Sequence, residues 1–158
     1  MKSPISDSIK IVTVTGDKVK ALIPEIAALR IEVFREYPFL YIGDLEYEKK
    51  YLKKFTTMKD AIVVMVFDHE TLIGISTGYP FVYEAENLQE LLRSSGRNPE
   101  DYFCFGESVL RHTYRGLGIG KRFFEEREAH VRAMNRFTHI CFYTSKTETL
   151  DFCLPEIQ

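Results

Sequence analysis

Apolar residues change their spacing several times along the chain, and each change marks an element. Ile9, Ile11, Val12 and Val14 make a short strand that Thr15-Gly16-Asp17 ends. Val19, Leu22, Ile23, Ile26, Leu29, Val33 and Phe34 then fall at three- and four-residue steps, the apolar stripe of one long helix. Pro24 lies inside that stripe, so the helix starts near it or bends there. The loop Tyr37-Pro38-Phe39-Leu40-Tyr41-Ile42-Gly43-Asp44 precedes a second helix near Leu45 to Phe55. Loops seldom spend that much apolar surface without something to cover. Ala61–Asp68 and Leu72–Tyr79 read as two strands of a hairpin turning at His69-Glu70. Leu88, Leu91 and Leu92 mark a short helix, and Ser94 to Pro99 a turn. Tyr102 to Leu110 returns to strand. A glycine-rich turn opens the strongest helix, Leu117 to Met134, and Thr138 to Thr144 is a last strand. The order β-α-α-β-β-α-β-α-β predicts an α/β fold with a mixed sheet and one βαβ crossover at its end.

Composition narrows the class. No repeat or linker divides residues 1–158, so one domain is expected, large enough for a core without disulfides or metal. A net charge of −2 argues against a general nucleic-acid binder or a polybasic membrane anchor. The longest strand-like apolar run, Ala61 to Phe67, is far below the ~20 residues of a membrane-spanning helix. Cys104, Cys141 and Cys153 form neither CxxC nor zinc spacing. Met1-Lys2-Ser3-Pro4 leads into mixed polar residues rather than an export signal. Reduced thiols in a cytoplasm are therefore expected.

The chemistry concentrates in Arg111-His112-Thr113-Tyr114-Arg115-Gly116-Leu117-Gly118-Ile119-Gly120-Lys121-Arg122. Three glycines at alternate positions between strand and helix let a ligand approach bare backbone N–H groups. A P-loop is excluded, because Arg115 stands where its first glycine belongs and Arg122 where its hydroxyl belongs. A dinucleotide fingerprint is excluded by Lys121 at its third glycine. Lys121 and Arg122 sit in the first helical turn, where the dipole disfavours each cation by ~0.3–1 kcal/mol. An anion bound at that end would relieve both.

Arg115-Gly116-Leu117-Gly118-Ile119-Gly120 resembles the Arg/Gln-x-x-Gly-x-Gly/Ala signature of the GNAT superfamily of acetyltransferases, with the usual strand and an aromatic, Tyr114, before it. The order of elements is also that of the family's first five strands. Phe39 to Leu45 and Phe105 to Val109 look like segments of small bacterial members. The resemblance implies acetyl-CoA as co-substrate and no metal. It implies that the backbone of Val109, Leu110 and Arg111 pairs with the pantetheine arm. Arg115, Gly116, Leu117, Gly118, Ile119, Gly120 and Lys121 would hold the pyrophosphate.

Acetyl transfer to an amine needs a proton removed, because an amine of pKa ~10.4 is neutral in only about one molecule in 10³ at pH 7. A carboxylate, or a water that it orders, serves that purpose. Glu107 is the candidate, two residues before Val109 and so on the same side of the strand. The plain alternative is a structural hydrogen bond or a pairing with Arg111. Glu70 and Glu84 are rivals. Tyr143 is the candidate proton donor to the leaving thiolate, with packing as its ordinary role. Arg35, Tyr37, Phe39 and Tyr41 are candidate acceptor-site residues, since the family uses that region as a wall or lid. His112 reads as a solvated turn residue, His130 as helix surface, and Cys104 and Cys141 as small residues on inner strands.

Family members normally continue with a fourth helix and a hairpin, whereas fourteen residues follow Thr144 here. The expected activity is N-acetyl transfer to a primary amine of a small molecule or peptide by direct attack. The alternative is an acyl-CoA-binding protein without efficient catalysis. An open edge at Ile140–Tyr143 would be covered by the tail after Thr144 or by a second copy in a homodimer, the arrangement favoured here.

Overall fold

Five strands form one sheet in the order β1-β2-β3-β4-β5: β1 (Ile9–Val14), β2 (Ile62–Asp68), β3 (Thr71–Pro80), β4 (Tyr102–Leu110) and β5 (His139–Phe142). A computed structural model of the chain describes residues 6–36 and 39–143. The first four strands pair antiparallel, and β5 joins β4 in parallel after the predicted crossover.

The long first helix is in two pieces, a single turn α1 (Asp17–Lys20) and α2 (Ile23–Phe34). Pro24 falls in the first turn of α2, where its missing N–H costs nothing. The second helix also divides, into α3 (Leu45–Leu52) and α4 (Lys54–Thr57). Asp44 caps α3 by accepting the Tyr47 N–H at 2.8 Å. Next come α5 (Glu86–Ser94) and α6 (Ile119–Met134). The last helix starts two residues later than its periodicity suggests, because Gly118 adopts a left-handed conformation in front of it.

Each sheet face carries its own core. Ile26, Leu29 and Val33 of α2 and Leu52 of α3 pack with Val63, Met65, Ile75 and Val109 on one face. Ile119, Phe123 and Val131 of α6 pack with Val64, Ile73, Phe103 and Phe105 on the other.

β4 changes face partway along. Gly78 pairs with Phe105 and Ser76 with Ser108, so Thr77 alone opposes both Gly106 and Glu107. That is a β-bulge. Phe105 therefore faces α6, while Glu107 and Val109 face α2 and α3. A regular strand would have put all three on one side. Gly106 belongs at this point because a Cβ there would stand 2.4 Å from Thr77 Oγ1.

β5 pairs with β4 only from Tyr102 to Phe105. Beyond that point Gly106–Leu110 has no partner strand on that side among the described residues. Cys104 is fully buried on an inner strand as expected, but Cys141 is half-buried on the edge strand, in register with it. Ile140 and Phe142 are exposed on that edge. The expectations for the tail after Thr144 and for Cys153 fall outside the described residues.

Candidate functional site

The bulge delivers Glu107 to a buried charge cluster. The Glu107 N–H donates to Thr77 Oγ1 at 3.0 Å, which fixes the backbone, and the carboxylate reaches toward α2 and α3. There it pairs with Nη1 of Arg30 and accepts the Tyr51 hydroxyl at 3.2 Å. Arg30 Nε donates to Glu48 at 2.5 Å, and Glu48 also accepts the Tyr41 hydroxyl at 3.0 Å. Arg30 and Glu48 are buried, whereas the Glu107 side chain stays 30% exposed. Each carboxylate oxygen has two acceptor directions, so Glu107 keeps capacity for a water or an ammonium. The partner of Glu107 is thus Arg30. Arg111 pairs instead with Glu32 at 2.9 Å.

Glu107 lies between two cavities. One of about 400 Å3 is walled by Phe34, Phe39, Tyr41, Tyr47 and Tyr51, with Arg30 and Glu48 at its base. The second, about 570 Å3, shares Phe34, Phe39, Tyr51 and Glu107 and adds Tyr79, Ser108 and Tyr143. The second lining crosses β4 from Glu107 on the α2 side to Ser108, beside the end of β5. The Tyr41, Tyr79 and Tyr143 phenols stay protonated near neutrality. Burial and the Glu48 hydrogen bond raise the Tyr41 pKa, burial and Glu84 raise that of Tyr79, and burial chiefly raises that of Tyr143.

The glycine turn lies at the far end of β4. Gly116 and Gly118 have φ values of +79° and +87°, a conformation that L side chains rarely adopt. Neither Gly118 nor Gly120 has a neighbouring atom within 4 Å of where a Cβ would stand. The first helical bond of α6 runs from the Arg122 N–H to the Gly118 carbonyl at 3.2 Å. The Ile119, Gly120 and Lys121 N–H groups precede it and have no helical acceptor, and no side chain caps this end among the described residues. Main-chain donors without helical acceptors at the positive end of a helix dipole, beside the open space at Gly118 and Gly120, suit a phosphate group. The two cations are less isolated than the sequence suggests. Lys121 lies 3.5 Å from Glu125, and Arg122 lies 3.0 Å from Glu126. An anion here would therefore be held by the N–H groups rather than drawn by unpaired charge.

The strand residues next to the turn are partly committed. Val109 is buried, and Leu110 accepts the Arg115 Nε at 3.3 Å. The Arg111 N–H donates to the Ile73 carbonyl at 3.0 Å, on the β3 side and away from the free edge.

Of the expected acceptor residues, Phe39 and Tyr41 line the first cavity, and Arg35 lines neither. Tyr37 lies outside the described residues. Glu70 sits in the exposed β2–β3 turn, whose strands end opposite Leu110, and Glu84 stands behind the wall, accepting the Tyr79 hydroxyl at 2.5 Å. His112 is exposed as expected. His130 is not surface: it is half-buried, its Nε2 lies 2.9 Å from the Asp60 carbonyl and its ring meets Phe103 edge-on. Sequence reasoning missed Arg30, Glu48 and Tyr51. It also missed Arg127, a buried arginine on α6 that donates to the Thr77 carbonyl at 3.1 Å and the Ser108 hydroxyl at 3.3 Å. Burial lowers its pKa to about 10, which leaves it charged at neutral pH. Among the described residues no group of three or more His, Cys, Asp or Glu is placed to hold a metal ion, and no helix is long and apolar enough to cross a membrane.

No family sequence model matches the chain, and no curated protein matches it by sequence. Solved structures do match. A GNAT family acetyltransferase of Staphylococcus aureus is 18% identical with a TM-score of 0.58, the match covering 90% of this chain and 91% of that one. An aminoglycoside N-acetyltransferase in complex with CoA is 10% identical with a TM-score of 0.62, over 90% and 81%. An aminoglycoside acetyltransferase from an uncultured soil metagenomic sample, in complex with sisomicin, is 17% identical with a TM-score of 0.57, over 90% and 82%. The chain has the fold of the GNAT acetyltransferases.

Proposed function

We propose that this GNAT-fold chain is an acetyl-CoA-dependent N-acetyltransferase whose acceptor is a primary amine. The observation that carries the reading is Glu107, a carboxylate held in a bulge, walled by aromatic rings and seated on the strand that leads to the glycine turn. Two features fit the donor: the N–H groups of Ile119, Gly120 and Lys121, which have no helical acceptor, and the β4 edge over Gly106–Leu110, free among the described residues. The CoA complex of one fold relative supports the same donor.

The amine arrives mostly as an ammonium, and its deprotonation costs up to ~4–5 kcal/mol at pH 7. Glu107, directly or through a water, takes that proton. The freed nitrogen then attacks the thioester carbon, main-chain N–H groups on the β4 edge polarise the carbonyl, the C–S bond breaks, and the nitrogen's second proton passes to the departing thiolate to give the amide and free CoA thiol. Tyr143 donates to the departing thiolate. Its raised pKa keeps the phenol protonated, so it acts more as a hydrogen-bond donor than as a strong acid.

The test joins calorimetry with CoA to thiol release from acetyl-CoA in the presence of amines. Glu107→Gln should lower kcat by ~10²–10⁴ at pH 7 while leaving CoA affinity unchanged, with a deficit that shrinks at high pH. Equal rates for both proteins would reduce Glu107 to a structural residue. CoA binding with no turnover of any amine would favour the acyl-CoA-binding reading.

A further inference from the structure

Charge bookkeeping in the two cavities narrows the acceptor. Arg30, Glu48 and Glu107 are the residues with an ordinarily charged side chain among the described residues of both linings, and Lys54 stands just outside, its Nζ 4.0 Å from the Tyr51 ring. Each acid is already engaged. Arg30 and Tyr41 hold Glu48, and Arg30 and Tyr51 hold Glu107. Glu48 is buried, which leaves Glu107, with its partly exposed side chain, as the carboxylate able to meet a substrate cation.

The remaining wall is aromatic. Arg30 already stacks over Phe34 at 5.1 Å and Tyr51 at 4.7 Å, so those ring faces are taken. Phe39 and Tyr47, 64% and 61% exposed, are the rings of the first cavity most open to a ligand. A flat apolar body laid against them would leave the water that both rings now face. An ammonium at Glu107 would sit within reach of ring faces as well. A second or third ammonium would find no further carboxylate among the described residues of either lining and would lose hydration without a partner there.

We propose, resting on the acetyl-transfer reading, that the acceptor is a singly charged primary amine with a flat apolar body, an arylalkylamine in chemical class, and not a polycationic polyamine or aminosugar. One ammonium matches the one partly exposed carboxylate, Glu107, and one ring matches the open Phe39–Tyr47 wall.

The experiment compares 2-phenylethylamine, methylamine, spermidine and kanamycin with saturating acetyl-CoA, reading thiol release and product mass. Calorimetry of each amine on the CoA-saturated protein runs alongside. 2-Phenylethylamine should exceed each of the others in kcat/KM by about 10-fold or more. Phe39→Ala should raise its KM by a similar factor and leave the KM for acetyl-CoA unchanged. Preferred turnover of spermidine or kanamycin overturns the inference and leaves acetyl transfer standing, as does equal turnover of methylamine. Tight 2-phenylethylamine binding without thiol release supports the pocket chemistry and overturns acetyl transfer instead. Absence of both binding and turnover for 2-phenylethylamine overturns the inference.

Discussion

Thr77 holds Glu107 in place through a single hydrogen bond, its hydroxyl accepting the Glu107 backbone N–H at 3.0 Å. The carbonyl of the same threonine accepts Arg127 Nη1 at 3.1 Å. A bulge breaks the regular ladder and leaves main-chain groups to be paired by other means. Thr77 answers for both, and so ties the backbone of the candidate base to helix α6.

Thr77→Val keeps the size of the side chain and removes that acceptor. The variant should lose ~1–3 kcal/mol of stability from the stranded N–H. Its kcat should fall by up to ~10²-fold as the carboxylate drifts, with CoA affinity unchanged. Thr77→Ser should restore both. Denaturant titration and steady-state kinetics check this; a fully active valine variant would show that the bulge holds itself.

Arg30 neutralises two carboxylates, one of them fully buried. Arg30→Ala should therefore cost ~3–5 kcal/mol, visible as a lower urea midpoint. Arg30→Met combined with Glu48→Leu should be less destabilised than Arg30→Ala, because the buried unpaired charge is gone. A single variant as stable as the parent would mean that water reaches Glu48.

The glycine turn separates backbone strain from ligand contact. Gly118→Val should weaken CoA binding by at least ~1–3 kcal/mol, through the +87° φ that valine resists and the N–H groups it crowds. Gly120 has no positive φ and open space around its missing Cβ. Gly120→Ala should thus leave the free protein as stable or slightly more so, yet still weaken CoA. Unchanged CoA affinity in both folded variants would move the donor elsewhere.

Tyr114 donates to Asp68 at 2.7 Å, and this bond, with a smaller contribution from Ser8, holds the Asp68 carboxyl below its ordinary value of 3.8. A depressed folded pKa stabilises the native state above 3.8, and that contribution is lost as pH falls through the folded value. Tyr114→Phe should raise the Asp68 pKa in carboxyl NMR titrations and start acid unfolding at a higher pH. An unmoved titration would assign the shift to Ser8.

The order of elements was legible because strands and helices keep their periods, and Pro24 and Asp44 mark the starts of α2 and α3. The charge cluster was written there too. Arg30 falls on the apolar stripe between Ile26 and Val33, and Glu48 falls between Leu45 and Leu52, so opposite charges occupy core-facing positions on two helices. Read as helix faces, those two residues predict a buried pair. The bulge left a fainter trace. Its alternation fails only at Gly106, and two residues opposing one is a property of pairing with β3, which no single segment records. His130 was misjudged because a helix period cannot say that Asp60 and Phe103 arrive beside it.

The link between Arg127 and Thr77 has a consequence for how such a protein can change over generations. Helix α6 carries the glycine turn at its first residues and Arg127 eight residues on, about 12 Å along its axis. On the proposed reading, donor recognition and the mounting of Glu107 thus share one stiff body, where a substitution that improves one risks the other. The Phe39–Tyr47 wall belongs to a loop and the exposed start of α3, outside that body. Drift there can retune which amine is accepted while the donor machinery stays intact, so selection for new acceptors should accumulate its first changes between residues 39 and 47.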